Sequence, residues 1–187
     1  MKIANAITLG RLLLVVVGLT LLALHPGRMR MTLDMDWVMF ACLFVAAVTD
    51  FVAGWAARKF HEVSQVGRLL DPLVDKILVC GALVLFMDMP DLAPWVPGWV
   101  VVVMLSREFI VQSIRGAAEA QGHDFGADRF GKWKMVTQCV YVLGLASYQA
   151  GWDWPIEVVR YALWVALGFT VLSGFNYMRK AVRVIEF

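Results

Sequence analysis

The sequence predicts an all-α integral membrane protein, a bundle of six transmembrane helices with a polar cavity facing the cytoplasm. Three observations predict it. Hydrophobic residues fill 60% of the 187 positions, charged residues only 17%, and the mean hydropathy is +0.69, outside the usual range of soluble domains. Six stretches come close to the roughly 20 apolar residues that a helix needs to cross the hydrocarbon. Lys and Arg crowd on one side of those stretches, which sets the expected orientation.

The six stretches cover residues 5–24, 37–58, 72–88, 95–117, 132–150 and 156–178. The first has the look of a signal peptide, because Lys2 precedes an apolar core. No small-x-small cleavage site follows, and Asn5, Thr8 and Arg11 interrupt its start, so it reads as a span. The second is uncharged from Val38 to Val48 and polar from Asp50 onward. Asp71-Pro72 has the order of an N-cap followed by a first-turn proline, which predicts that the third helix begins there. Pro26-Gly27, Pro90, Pro94, Pro97-Gly98 and Pro155 mark the joints on one side. The length suits a single domain, residues 1–187, with no linker, low-complexity tract or repeat.

One side carries Lys2, Arg58, Lys59, Arg68, Arg129, Lys132, Lys134, Arg179, Lys180 and Arg183; the other has Arg28 and Arg30, with Arg160 near a helix start. The richer side is expected to be cytoplasmic, with both termini inside and the protein multi-pass in the cell inner membrane. Trp37, Trp95, Trp99, Trp152 and Trp154 then form an aromatic belt at the outer interface. A formal charge of +2 gives no ground for a nucleic-acid partner. Cys42, Cys80 and Cys139 sit in apolar runs without metal-site or disulfide spacing, and His25, His61 and His123 read as ordinary loop residues. A homodimer is compatible with this composition.

Polar residues within the spans are one-sided. Asn5, Thr8, Arg11, Asp50, Arg58, Asp71, Asp75, Lys76, Arg107, Glu108, Arg115, Lys132 and Lys134 all fall in the inner halves. A charge in hydrocarbon costs at least ~2.5 kcal/mol, so such residues face a cavity or one another. Snorkelling at helix ends explains Arg58 or Lys132 but not Asp50 or Arg107, which lie about eight residues, roughly 12 Å, inside. Several helices pooling charge at one depth predict a site. Asp50, Gly54 and Ala57 share a helix face, as do Asp71 and Asp75. Two helices therefore aim carboxylates at a common region, and oxygen-only donors suit a hard cation, Mg²⁺ or Mn²⁺. Small residues at 54, 57 and 67 serve close helix packing equally well.

The stretch from Asp50 to Asp75 resembles the signature of the CDP-alcohol phosphotransferases, D-x2-D-G-x2-A-R-x8-G-x3-D-x3-D. Asp50, Gly54, Ala57, Arg58, Gly67, Asp71 and Asp75 stand at its spacings. NAITLGR near the start, SREFIVQSIR at 106–115 and GKWKMVTQ at 131–138 extend the resemblance over nearly the whole chain, toward bacterial members that use glycerol 3-phosphate. The resemblance implies six spans and transfer of a phosphatidyl group from CDP-diacylglycerol to an alcohol with release of CMP. It further implies divalent metal held by the aspartates, here Asp50, Asp71 and Asp75, with Asp75 as the base. Donor contacts are expected from Thr8, Arg11, Gly54, Ala57, Arg58 and Gly67. An acceptor with its own phosphate needs cations, and Arg107, Arg115, Lys132 and Lys134 supply them. Glu108 is expected to pair with one of these arginines rather than act in chemistry.

Ala53 departs from the signature, which has its second aspartate there. Three carboxylates then remain, so weakened metal binding and reduced transfer are expected. Two alternatives stand beside this reading: a family member using another alcohol, and a non-catalytic lipid-binding paralogue. An ion transporter fits less well, because transporter sites lie near the midplane between repeats.

Overall fold

The computed structural model describes the backbone of residues 3–24, 33–60, 65–122, 129–152 and 156–184, and the side chains of residues 7–24, 35–50, 70, 72–122, 130–152 and 156–182. Among them there are six α-helices and no strand: α1 (Ile3–Leu24), α2 (Leu33–Phe60), α3 (Gln65–Met87), α4 (Gly98–Ala120), α5 (Arg129–Gln149) and α6 (Ile156–Val184). A 3₁₀ turn, Ala93–Trp95, lies between α3 and α4. The all-helical expectation holds, and each expected stretch contains one helix.

Helix boundaries differ from the expected ones at several places. Helix α3 begins at Gln65 rather than at Asp71, and Pro72 lies inside it. Proline removes one backbone donor and crowds the preceding turn, yet the helix continues through it. Lys76 Nζ donates to the Pro72 carbonyl at 3.3 Å, one turn further on. Helix α4 starts at Gly98 rather than at residue 95, because Pro97 sits extended at its N-cap (φ −60°, ψ 127°). The residue before a proline is driven out of the α region, which ends the 3₁₀ turn before α4 begins. Helix α2 runs 28 residues and α6 runs 29, about 42–44 Å at the α-helical rise and longer than the hydrocarbon is thick.

Helix α5 stops at a left-handed glycine. Gly151 has φ +91°, its N–H bonds the Tyr148 carbonyl at 3.1 Å, and the Trp152 N–H reaches back to Ser147 O at 3.1 Å. That is the Schellman pattern, which satisfies the last carbonyls of a helix.

Helix α1 packs chiefly on α2 and α3, α5 on α6 and α4 on α6, while α3 also meets α4 and α5. Glycine permits the closest approaches. A Cβ on Gly18 would lie 2.9 Å from Leu43 Cδ2, and one on Gly81 would lie 2.8 Å from Leu19 Cδ1. Small residues at such crossings let helices gain dispersion contact where lipid offers no hydrophobic drive. The main core runs through all six helices, with Leu22, Met39, Leu43, Leu83, Phe86 and Leu145 among its fully buried side chains. A smaller cluster of Val111, Ala118, Tyr177 and Ala181 joins α4 to α6.

The outer surface is apolar too. Leu13, Val102, Phe109, Val140, Tyr161 and Leu172 are all more than half exposed. An exterior of this kind belongs against lipid rather than water. Among the described residues, Ile7–Leu24 and Ile156–Val182 are long and apolar enough to cross a membrane by composition, with mean hydropathies of 2.4 and 1.6. Trp37 and Trp152 stack edge to face at 5.5 Å, bringing the start of α2 and the end of α5 to one end of the bundle. Trp99 and Trp164 lie 6.1 Å apart. Trp154 lies outside the described residues.

Candidate active site

Charge collects in the half of the bundle opposite Trp37 and Trp152, in two adjoining places. The first lies between α1, α2, α3 and α5. Arg11 of α1 is 2% exposed and donates to Asp50 of α2, and its Nη2 lies 3.5 Å from Asp75 Oδ1 of α3. Two carboxylates from separate helices thus converge on one guanidinium. Ala46, Ala47, Val74, Leu78, Met135 and Cys139 close around them, leaving a void of about 10 Å³, the space of roughly one water molecule. Thr8, one turn before Arg11, is buried as well. Burying a lone carboxylate costs several kcal/mol, so a cation between the two is what makes the arrangement affordable.

The donor chemistry here fits a hard divalent cation: carboxylate oxygens from two helices already share one positive charge. Among the described residues no group of three His, Cys, Asp or Glu side chains comes together. The side chains of Ala53, Gly54, Ala57, Arg58, Gly67 and Asp71 lie outside the described set; their backbones are helical, in α2 and α3.

The second place is a cavity of about 280 Å³ between α3, α4, α5 and α6. Lys76, Arg107, Arg115, Lys132 and Lys134 line it against only Asp75 and Glu108, five basic groups to two acidic ones. Glu108 is the internal counterion: Lys134 Nζ donates to its Oε1 at 2.5 Å and Arg107 Nη1 at 3.1 Å. The expected pairing of Glu108 with an arginine is therefore present, together with a lysine. Arg107 Nη2 donates to Ser173 Oγ at 2.5 Å, and Arg115 Nη2 donates to the Tyr177 hydroxyl at 2.9 Å. Lys76 Nζ donates to Gln112 Oε1 at 3.0 Å. Lys132 is exposed on the wall.

The Nε atoms of Arg107 and Arg115 are buried without a hydrogen-bond partner. A buried donor left unmade costs about 1–3 kcal/mol, more when charged. All four basic residues proposed from sequence for an acceptor phosphate line this one cavity. Arg11 does not join them; it lies with the aspartates.

Asp75 borders both places, the void around Arg11 and the basic cavity. A carboxylate at such a junction can touch a group held on either side. Residues 1–172 match the family model described as CDP-alcohol phosphatidyltransferase. The chain belongs to that family. A CDP-diacylglycerol–glycerol-3-phosphate 3-phosphatidyltransferase of Bacillus subtilis is 36% identical, over 96% of this chain and 94% of its own length. A protein of Mycobacterium tuberculosis named probable phosphatidylglycerophosphate synthase is 32% identical, over 98% of this chain and 83% of its own. A third relative, from Cereibacter sphaeroides and named as the first is, is 27% identical over 81% and 84%.

For a CDP-alcohol phosphatidyltransferase, the structure adds residues that sequence reasoning passed over. Gln112, Gln138 and Tyr177 line the basic cavity beside Lys76, which the sequence counted among the inner charges without giving it a role, and Ser173 anchors Arg107. Gly174 makes room for the same side chain, since a Cβ there would lie 3.1 Å from Arg107 Cγ. The signal was present but faint: Ser173 and Tyr177 are four residues apart, on one face of an otherwise apolar helix.

Proposed function

We propose that the chain is a phosphatidylglycerophosphate synthase, which transfers the phosphatidyl group of CDP-diacylglycerol to glycerol 3-phosphate and releases CMP. The position of Asp75 in the wall of both polar places carries the reading. The names of the relatives support the substrates.

In this mechanism the acceptor phosphate sits in the basic cavity on Arg107, Arg115, Lys132 and Lys134, and its glycerol end points toward Asp75. Asp75 takes the proton of the attacking hydroxyl. The hydroxyl oxygen forms a bond to the phosphatidyl phosphorus, the phosphorus bond to the diphosphate bridging oxygen breaks, and CMP leaves with that electron pair. Asp50, Asp71 and Asp75 would hold Mg²⁺ or Mn²⁺, which supplies charge neutralisation for the diphosphate and the leaving group. Thr8, Gly54, Ala57, Arg58 and Gly67 bound the donor nucleotide. Arg11 holds Asp50 and Asp75 together until the cation and donor enter.

The reading includes the topology. Residues 1–187 form one domain with six spans in the cell inner membrane, and the site opens to the cytoplasm, where both water-soluble products and substrates are. The lysines and arginines at the inner ends support that orientation.

Ala53 stands where the family signature has an aspartate, so the unaltered chain should transfer slowly. The test is phosphatidyl transfer to radiolabelled glycerol 3-phosphate with Mg²⁺ or Mn²⁺, in the unaltered chain and in Ala53→Asp. A fourth carboxylate is expected to raise the metal-dependent rate by about 100-fold or more, given the several kcal/mol that a bound metal contributes. No transfer by either protein would favour the non-catalytic lipid-binding reading, and transfer to a different alcohol would replace the acceptor.

A further inference from the structure

We infer that Tyr177 is the positioning residue of the basic cavity, holding Arg107 and Arg115 so that their open donors meet one phosphate monoester. The inference rests on the acceptor reading above. Arg107 and Arg115 lie two turns apart on α4, about 12 Å along its axis. The Tyr177 ring of α6 serves both: the Arg107 Cζ is 5.7 Å and the Arg115 Cζ 5.8 Å from its centroid.

Each guanidinium is fixed at a second point. The Tyr177 hydroxyl accepts from Arg115 and the Ser173 hydroxyl, one turn earlier on α6, accepts from Arg107. Gly174 leaves the path of the Arg107 stem open. The ring itself is 3% exposed and wedged among Val111, Ala118 and Ala181, so its own orientation is set by packing.

A guanidinium held near a ring by cation–π attraction and tied by a hydrogen bond keeps its position while its other donors stay available to a ligand. Each guanidinium has five N–H donors, so Arg107 and Arg115 keep several beyond those given to Glu108, Ser173 and Tyr177, and both residues line the cavity. Lys134 and Lys76 are already committed, to Glu108 and Gln112. The cation excess and the remaining guanidinium donors suit a phosphate dianion on a small neutral stem. An unphosphorylated alcohol leaves the cation excess uncompensated, so the same clamp discriminates against it.

The test uses the full chain in lipid nanodiscs. Binding of radiolabelled glycerol 3-phosphate is measured alongside binding of CDP and competition by inorganic phosphate and by glycerol. Tyr177→Leu is expected to weaken glycerol 3-phosphate at least tenfold and leave CDP binding within twofold. Tyr177→Phe keeps the ring and its volume but not the hydroxyl, so it should fall between the two. Inorganic phosphate should compete in the unaltered chain and glycerol should not. Tyr177→Leu and Tyr177→Phe binding as tightly as the unaltered chain would overturn the positioning role, as would equal loss of both ligands. If the unaltered chain binds CDP but neither glycerol 3-phosphate nor phosphate, the acceptor reading itself fails.

Discussion

The two polar places differ in how their charges are balanced. Around Arg11 one guanidinium faces two carboxylates, which leaves negative charge in excess, and only about 10 Å³ is left. In the basic cavity five cationic residues face two acidic ones across about 280 Å³. The first is closed, so a ligand there has to displace a contact. The second is open and short of negative charge, so a ligand there completes contacts. Asp75 belongs to both, so the carboxylate proposed as proton acceptor lies between a closed region and an open one.

The sharpest way to break this contrast is to remove a cation from the open cavity. Arg107→Ala takes away a guanidinium clamped by Glu108, Ser173 and the Tyr177 ring. A hydrogen bond to a charged group contributes about 1.5–3 kcal/mol, so the glycerol 3-phosphate KM in an Ala53→Asp background should rise about 10–100-fold. The CDP-diacylglycerol KM should change far less. Steady-state kinetics with each substrate varied would check it, and equal effects on both would merge the two places into one.

A smaller and opposite effect is expected on the closed side. Arg11→Gln removes the resident cation from Asp50 and Asp75. Mn²⁺ binding, followed by electron paramagnetic resonance without substrates, should tighten by about tenfold, since an opposite charge at contact is worth about 1–4 kcal/mol near a protein surface. Weaker Mn²⁺ binding would show that Arg11 organises the carboxylates for the metal rather than competing with it. The smallest effect belongs to Lys132, exposed on the cavity wall. Exposed pairs contribute about 0–1 kcal/mol, so Lys132→Ala should change glycerol 3-phosphate affinity less than about fivefold, and less still in high salt.

The helices were legible because apolar runs and proline-glycine joints are local signals. Their ends were less so: Asp71-Pro72 reads as a helix start, yet α3 begins at Gln65, because packing of the bundle can override a local preference. In the site, charged residues inside apolar spans announced themselves, and Arg107, Arg115, Lys132 and Lys134 do line one cavity. Arg11 was visible as a buried cation, but its partners on α2 and α3 are distant in sequence and no spacing rule connects them. The α6 contribution was hardest to see. Ser173, Gly174 and Tyr177 are uncharged and ordinary in an apolar helix, and their importance comes only from lying against α4.

The central claim is that the carboxylate at the junction of the two polar places receives the acceptor proton. Its most direct test is the single-turnover rate of phosphatidyl transfer by Asp75→Asn in an Ala53→Asp background, with both substrates saturating and glycerol 3-phosphate binding measured in parallel. Loss of a general base costs typically about 10²–10⁴-fold, and loss of a metal-binding carboxylate adds to it. The rate should therefore fall at least about 1,000-fold while glycerol 3-phosphate binding stays within about threefold, because Asp75 adds no cation to the phosphate site. A rate within tenfold of the Ala53→Asp protein would contradict the account.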